Sequence, residues 1–327
     1  MRFWHLLVSA DWRRTWLVGL FGAALMLFSG MSASAYTLES ITVVLSDEGG
    51  AYEEFASHFN SLLQPANKTS VKLVSLKNVA NDDFTRTNNN QLVIAVGTPA
   101  MVAMAQKPAS NAVLNVLVPR ATFIKTAKQY NRSQDHRRFS AVYMDQSWTR
   151  QLRLIRTTMP TKPKVGILLG KESSEHIASL QSAAKEADVT LNIETVNDDA
   201  DLLNALRRLL SSSNVILAVP DTQIYNRNNI SSILLTSYRQ QVPLFGFSAS
   251  YVKAGALAAV YSSPAQIGQQ VAEIISNLSS ASSLPAPQYP RYFSVNTNPQ
   301  VARSLGLSID SESEIQRHLR QLSELAQ

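Results

Sequence analysis

The stretch 91–100, Gln-Leu-Val-Ile-Ala-Val-Gly-Thr-Pro-Ala, constrains the fold of this chain more than any other. An apolar run through Val96 is stopped by Gly97 and followed by Thr98, Pro99 and small helix-forming residues. This order predicts a buried strand that leads into a helix, with the proline in the first helical turn. Thr98 could cap that helix with its hydroxyl, beside N–H groups that are free to meet a ligand.

The same strand-turn-helix pattern recurs along the chain. Apolar runs that predict strands lie at 41–45, 71–75, 91–96, 112–117, 139–143, 165–169, 190–194, 215–219, 244–247, 256–261 and 292–296. Amphipathic stripes between most of them predict helices, for example Trp148, Leu152, Ile155 and Met159. Strands that alternate with helices pair in parallel, because a helix must carry the chain back. The pattern therefore predicts an α/β protein.

Two such runs, 36–145 and 146–247, predict two doubly wound, Rossmann-like lobes. The remaining segments do not complete a third lobe. We expect 248–280 to return to lobe 1 and 281–310 to cross again to lobe 2, which makes a three-segment hinge. Residues 311–327 are predicted to form a C-terminal helical tail.

The first 35 residues have the features of a cleaved secretory signal. Arginines precede an apolar run at 17–28, which is followed by Ala33-Ser34-Ala35. The run is shorter than a membrane-spanning helix needs, although an uncleaved anchor stays open as an alternative. We expect cleavage after Ala35 and a periplasmic location, reached by the general secretory or the twin-arginine route.

Composition excludes several classes of function. The chain has no cysteine, which excludes disulfides, thiol catalysis and a lipid-bearing cysteine. Its five histidines show no ligand spacing, so neither a metal nor another cofactor is expected. The net charge of +6 is dispersed except at 128–138, which we interpret as a solvated loop. Nucleic acid is therefore not an expected partner.

Polar and aromatic side chains at the predicted strand ends are the candidate ligand-binding residues, because ligands of open α/β sheets lie there. Thr98 could hold a carboxylate, Asp221 could accept from an ammonium group, and Phe247, Phe123 or Tyr52 could stack on a side chain. Each also has a structural interpretation as a helix cap or a core residue. The candidates are Ser46, Asp47, Thr98, Arg120, Phe123, Lys171, Ser173, Asp221, Thr222, Phe247 and Ser248.

Short motifs spread in order over the chain carry a family resemblance. They are the segments 96–100, 159–160 with 165–168, 219–221, 242–246, 255–258, 267–270, 295–296 and 305–307. With these motifs the chain resembles the ABC-transporter substrate-binding proteins of the tryptophan/tyrosine-binding type. The resemblance implies the type I periplasmic-binding-protein fold. This chain departs from the family pattern at 118–120, 170–174 and 222–223, which implies a ligand other than the aromatic amino acids.

Three functions follow as hypotheses. The first is a monomeric binding protein that captures an amino-acid-like molecule or a small organic anion between its lobes and delivers it to an ABC permease. The second is the same module as a ligand-loaded sensor for a membrane signalling protein. The third, an enzyme, is disfavoured because Gly246-Phe247-Ser248-Ala249-Ser250 lacks the second glycine of a nucleophile elbow. Nucleotide-binding glycine motifs are also absent from the sequence.

Overall fold

The computed structural model describes residues 38–63, 69–81, 91–108, 111–171, 173–198, 200–281 and 283–324. The predicted signal at 1–35 lies outside the described residues. Within them, no helix combines the length and the apolar character that crossing a membrane requires.

Among the residues that the structure describes, the first lobe is built on five parallel strands in the order β2-β1-β3-β4-β5. They are β1 Ser40–Leu45, β2 Ser70–Ser75, β3 Gln91–Val96, β4 Ala112–Val118 and β5 Phe139–Tyr143. Its helices are α1 Gly50–Leu63, α2 Thr98–Gln106 and α3 Arg120–Gln129, with a short 3-10 helix at Leu76–Asn81. The central strand β3 is buried at every position except Gln91, as expected of a parallel strand that is covered on both faces.

Within the described part of the chain, the second lobe has six strands in the order β11-β10-β9-β8-β6-β7, of which only β11 runs antiparallel to its neighbour. They are β6 Lys164–Leu169, β7 Thr190–Thr195, β8 Val215–Leu217, β9 Leu244–Gly246, β10 Ala258–Tyr261 and β11 Ser294–Thr297. Helices α4 Trp148–Thr158, α5 Ile177–Glu186, α6 Leu202–Ser212, α7 Ile230–Arg239 and α8 Ala249–Ala254 accompany them. Apart from β11, both sheets share one doubly wound strand order, which confirms the predicted fold class.

The chain passes between the lobes three times, as predicted. The first crossing joins β5 to α4, and the second joins β10 to helix α9 Pro264–Ser276, which packs on α1 of the first lobe. The third follows a short bridge between Gln288 and Val142 of β5, and it leads into β11.

The predicted boundaries for the segments after residue 247 are wrong in two places. Strand β10 and helix α8 lie in the second lobe, not the first, because β10 pairs with β9. Conversely, Leu284 and Gln288 hydrogen-bond along β5, so this part of 281–310 lies against the first lobe. A strand pattern shows that a strand forms, whereas the choice of sheet depends on the neighbour that a short right-handed connection can reach.

The last described helices pack on the second lobe. Helix α10 Pro299–Ser304 begins at Asn298, whose side chain accepts from two backbone N–H groups of the first turn. Helix α11 Glu312–Glu324 buries Ile315 and Leu319 in the core of this lobe, against α4 and β11. Glu312 accepts a hydrogen bond from the backbone N–H of Thr297, which ties the start of α11 to β11.

Candidate functional site

In the first lobe the strand order reverses between β1 and β3, and a ligand is expected at that point. In the structure, the polar groups at this point hydrogen-bond to other groups of the same lobe. The Ser46 hydroxyl donates to the Val96 carbonyl at 2.7 Å and accepts from the Ala100 N–H at 2.9 Å. Ser46 therefore caps α2, and the prediction that Thr98 does so is wrong, because Thr98 is already the first helical residue.

The residue before α2 is Gly97, with φ 89° and ψ 163°. This conformation is accessible essentially to glycine alone. A Cβ atom there would lie 2.7 Å from the Ser46 hydroxyl oxygen and 2.8 Å from the Tyr52 ring. Gly97 is therefore what allows the strand end, the cap and the ring to approach one another.

In the second lobe the strand order reverses between β6 and β8, and the Asp221 side chain lies at that point. Asp221 is only 8% exposed. One carboxylate oxygen accepts from the Gly170 N–H at 3.0 Å and the Ser173 hydroxyl at 2.5 Å, and the other accepts from the Gln223 N–H at 2.9 Å. Asp221 and Ser173 therefore join two strand ends inside the second lobe.

The aromatic candidates also face protein. Phe123 is buried and stacks on Phe139 with ring centroids 5.6 Å apart, as in its alternative interpretation as a core residue. A residue on the inner face of α3 packs on the sheet whatever its position relative to a strand end. Phe247 is half-buried, with its ring 4.4 Å from that of Tyr251.

The other candidates lie at the predicted strand ends. Asp47, Lys171 and Thr222 are exposed, and Asp47 accepts from the N–H of its neighbour Glu48. Ser248 precedes α8 without capping it through its side chain. The structure does not bring these four together with Thr98 in one cluster.

A different group of residues lies around the first crossing between the lobes, and it contains one predicted residue, Arg120. Asp145, in the first crossing, accepts a hydrogen bond from the backbone N–H of Arg120. The charges of Arg120 and Asp145 both act on His176 of the second lobe. We call the whole set the interlobe cluster; its members are Arg120, Tyr143, Asp145, Trp148, His176 and Tyr289.

Local backbone structure positions this cluster. Strand β4 ends in a bulge where Leu117 has φ 53°, and the register against β5 shifts there. Bulges of this kind redirect the chain at a strand end. The bulge precedes Pro119 and Arg120, so it places the start of α3 against Asp145.

Aromatic rings supply the apolar surface of the interlobe cluster. The Trp148 and His176 rings lie 5.5 Å apart, and Tyr143 meets Tyr289 edge-on at 5.5 Å. Burial raises the pKa of both tyrosines and lowers the pKa of His176. Burial thus disfavours the charged forms of these three rings, and Arg120 and Asp145 supply the cluster with a guanidinium group and a carboxyl group.

Asp145 makes a testable contribution to the pH dependence of stability. Burial raises its pKa, and the Arg120 N–H and the charges of His176 and Arg120 partly oppose that shift. When the pKa in the folded state lies above the pKa in the unfolded state, ionisation of the carboxylate destabilises the fold. This destabilisation is fully present above the folded-state pKa and absent below the unfolded-state pKa. Asp145→Asn should therefore stabilise the fold at pH 7, and this gain should shrink as the pH falls towards about 4.

Chemical unfolding of both chains from pH 7 downwards measures this difference. The asparagine can still accept the Arg120 N–H, so the comparison isolates the charge. A gain in stability that stays constant over the whole range would contradict the prediction.

Sequence reasoning missed most of the interlobe cluster. Asp145 lies two residues after a predicted strand and could have been found by the strand-end rule. Trp148 belongs to an amphipathic stripe that predicts a helix, and His176 is one of the five histidines without ligand spacing. The described residues hold no group of three or more histidine or acidic side chains suited to a metal ion.

Comparisons with known proteins agree with this two-lobe arrangement. The profile of a family described as "ABC transporter substrate binding protein" matches residues 60–283, more than half of the chain. No curated protein sequence matches significantly.

Several solved structures are similar at low sequence identity, which shows the fold alone. A ligand-free, open substrate binding protein with adhesive properties from Clostridium difficile has a TM-score of 0.65 at 14% identity, over 84% of this chain and 96% of that one. A conserved domain protein from Vibrio cholerae has a TM-score of 0.56 at 17% identity, over 86% of this chain and 98% of that one. An ABC domain in complex with L-Trp from Streptococcus pneumoniae has a TM-score of 0.55 at 14% identity, over 86% of this chain and 98% of that one.

Proposed function

The chain belongs to the family of ABC transporter substrate-binding proteins, and from this premise we propose that it captures an amino-acid-like molecule or a small organic anion between its lobes. It would then deliver that ligand, as a periplasmic monomer, to an ABC permease of the inner membrane. Proteins of this family bind small molecules and normally work with a permease.

The observation that carries the proposal is the composition of the interlobe cluster. Its guanidinium can donate to a carboxylate in two parallel hydrogen bonds, and its carboxylate can accept from an ammonium group. Its tyrosine and tryptophan rings supply apolar surface for a ligand side chain. Because these groups come from both lobes and from the first crossing, a ligand that touches them all would favour lobe closure.

A thermal-shift screen of residues 36–327 against amino acids, small peptides and organic anions tests the proposal. A ligand at a hundred times its Kd stabilises the folded state by about 2.7 kcal/mol, which raises the Tm by several degrees. The absence of any shift across all three compound classes would contradict the proposed ligand class.

Arg120→Gln should weaken binding of a ligand found in that screen by about tenfold or more, because one charge-assisted contact contributes roughly 1.5–3 kcal/mol. The substitution keeps the backbone N–H that Asp145 accepts, so the fold should persist. Isothermal titration calorimetry measures the change. Lys125→Gln, which removes an exposed cation from the same helix, is the matched control. Equal Kd values for both variants would exclude Arg120 as a ligand group.

A further inference from the structure

The three crossings between the lobes meet in one hydrogen-bonded group, which we call the hinge network. Gln146 of the first crossing donates to the Ser262 hydroxyl of the second at 2.8 Å. Ser262 in turn donates to the Tyr292 carbonyl of the third at 2.5 Å. Each crossing is thus joined to the next through Ser262. The network consists of Gln146, Arg150, Ser262, Pro290 and Tyr292.

Arg150 closes this network. One of its terminal nitrogens donates both to the Gln146 side-chain oxygen at 2.6 Å and to the Pro290 carbonyl at 2.8 Å. The first acceptor belongs to the first crossing and the second to the third crossing. A rotation that moved these crossings apart would break at least one of the two contacts.

The environment of Arg150 makes its position sensitive to those acceptors. Its guanidinium lies 4.4 Å from the centroid of the Phe293 ring, and Phe293 is fully buried in the second lobe. Burial lowers the pKa of Arg150 to about 10. Among the described residues no carboxylate forms an ion pair with it. A partly buried cation without an ion pair depends on its hydrogen bonds, so losing an acceptor is costly.

The helix that carries Arg150 belongs firmly to the second lobe. In α4, Leu152, Leu154 and Ile155 are buried in the core of that lobe. Arg150 therefore connects a rigid helix of one lobe to the third crossing, which arrives from the edge of the first lobe.

We propose that Arg150 is a positioning residue: it makes the three crossings bend as one unit and so restricts the angle between the lobes. Its effect on ligand capture rests on the proposed function, whereas its effect on the lobe angle does not. Removal of Arg150 should leave each lobe folded and widen the range of angles between them.

Double electron–electron resonance on the ligand-free protein tests this directly. Since the chain has no cysteine, Lys125→Cys on α3 and Gln181→Cys on α5 provide two exposed label sites in a clean background, one in each lobe. In Arg150→Met the width of the distance distribution should increase roughly twofold over that of the labelled wild type, as independent hinge segments allow a wider swing.

Arg153→Met is the matched control, because Arg153 lies on the same helix and its partners, Glu186 and the Leu322 carbonyl, both belong to the second lobe. It should leave the distribution unchanged. Met at position 150 can pack on Phe293, and exchanging a buried charge for an apolar side chain is often tolerated. Should that variant fail to fold by circular dichroism, Ser262→Ala, which removes two network contacts, decides the question.

A distance distribution as narrow as that of the wild type in the folded Arg150→Met variant overturns the proposal. If that variant does not fold, the same result in Ser262→Ala overturns it. Equal broadening in the control Arg153→Met also overturns it. Because no ligand is added, this outcome is independent of the thermal-shift screen. A chain that binds nothing in that screen could still show the hinge effect, and the reverse also holds.

Discussion

Gly97→Ala should lower the free energy of unfolding by about 2–5 kcal/mol, since backbone strain and overpacking each cost roughly 1–3 kcal/mol. Alanine at φ 89° and ψ 163° is strained whatever surrounds it. Its Cβ would also meet the Ser46 hydroxyl oxygen at 2.7 Å and the Tyr52 ring at 2.8 Å. Ser46 cannot move away without losing the cap on α2, so the clash has no inexpensive relief.

Chemical denaturation measures this change, and Gly306→Ala separates its two causes. Gly306 also has a positive φ, 65°, but a Cβ there would meet no atom within 4 Å. That substitution should cost about 1–2 kcal/mol, the strain alone. If Gly97→Ala lowered the free energy of unfolding no more than Gly306→Ala does, the close approach of Gly97 to Ser46 and Tyr52 would not contribute to stability.

Asp221→Ala should destabilise the protein by about 2–4 kcal/mol, because buried donors left without an acceptor each cost roughly 1–3 kcal/mol. The Gly170 N–H and the Ser173 hydroxyl share one carboxylate oxygen, and the Gln223 N–H uses the other. Asp221→Asn should rescue little, since an amide NH2 group would face donors instead of accepting from them.

Asp47→Ala is the control for this prediction, because Asp47 also follows a strand but is exposed. Its effect on the unfolding midpoint should stay within about 0.5 kcal/mol, as is usual for a surface position. A similar midpoint for Asp221→Ala and wild type in urea would show that the second lobe does not depend on this junction.

Both predictions concern residues that the sequence marked for ligand binding or for a turn, and that the structure uses to hold strand ends together. The strand-end rule correctly located polar groups at 46, 98, 120 and 221. It could not say which of them would be satisfied inside their own lobe. That depends on distances between segments about 50 residues apart, such as Ser46 to Ala100 and Asp221 to Gly170.

The sequence predicts the fold more completely than the candidate ligand-binding site. Strand β3 and helix α2 begin and end near the predicted residues, since an apolar run stopped by Gly-Thr-Pro has few other conformations. Strand β10 was assigned to the wrong lobe, because its short apolar pattern suits either sheet. Its pairing with β9 depends on a connection through α8 whose path the pattern does not contain.

The sequence by itself determined the α/β class, the two-lobe division and the three-segment hinge, because these follow from local periodicity and from the order of turns along the chain. Only the tertiary structure decided that Phe123 faces the core, that Asp221 is an internal junction and that Asp145 accepts a hydrogen bond from the Arg120 backbone N–H. The physical reason is that side-chain burial and hydrogen bonding depend on contacts between distant segments. No local pattern encodes which donor reaches which acceptor once the lobes have packed.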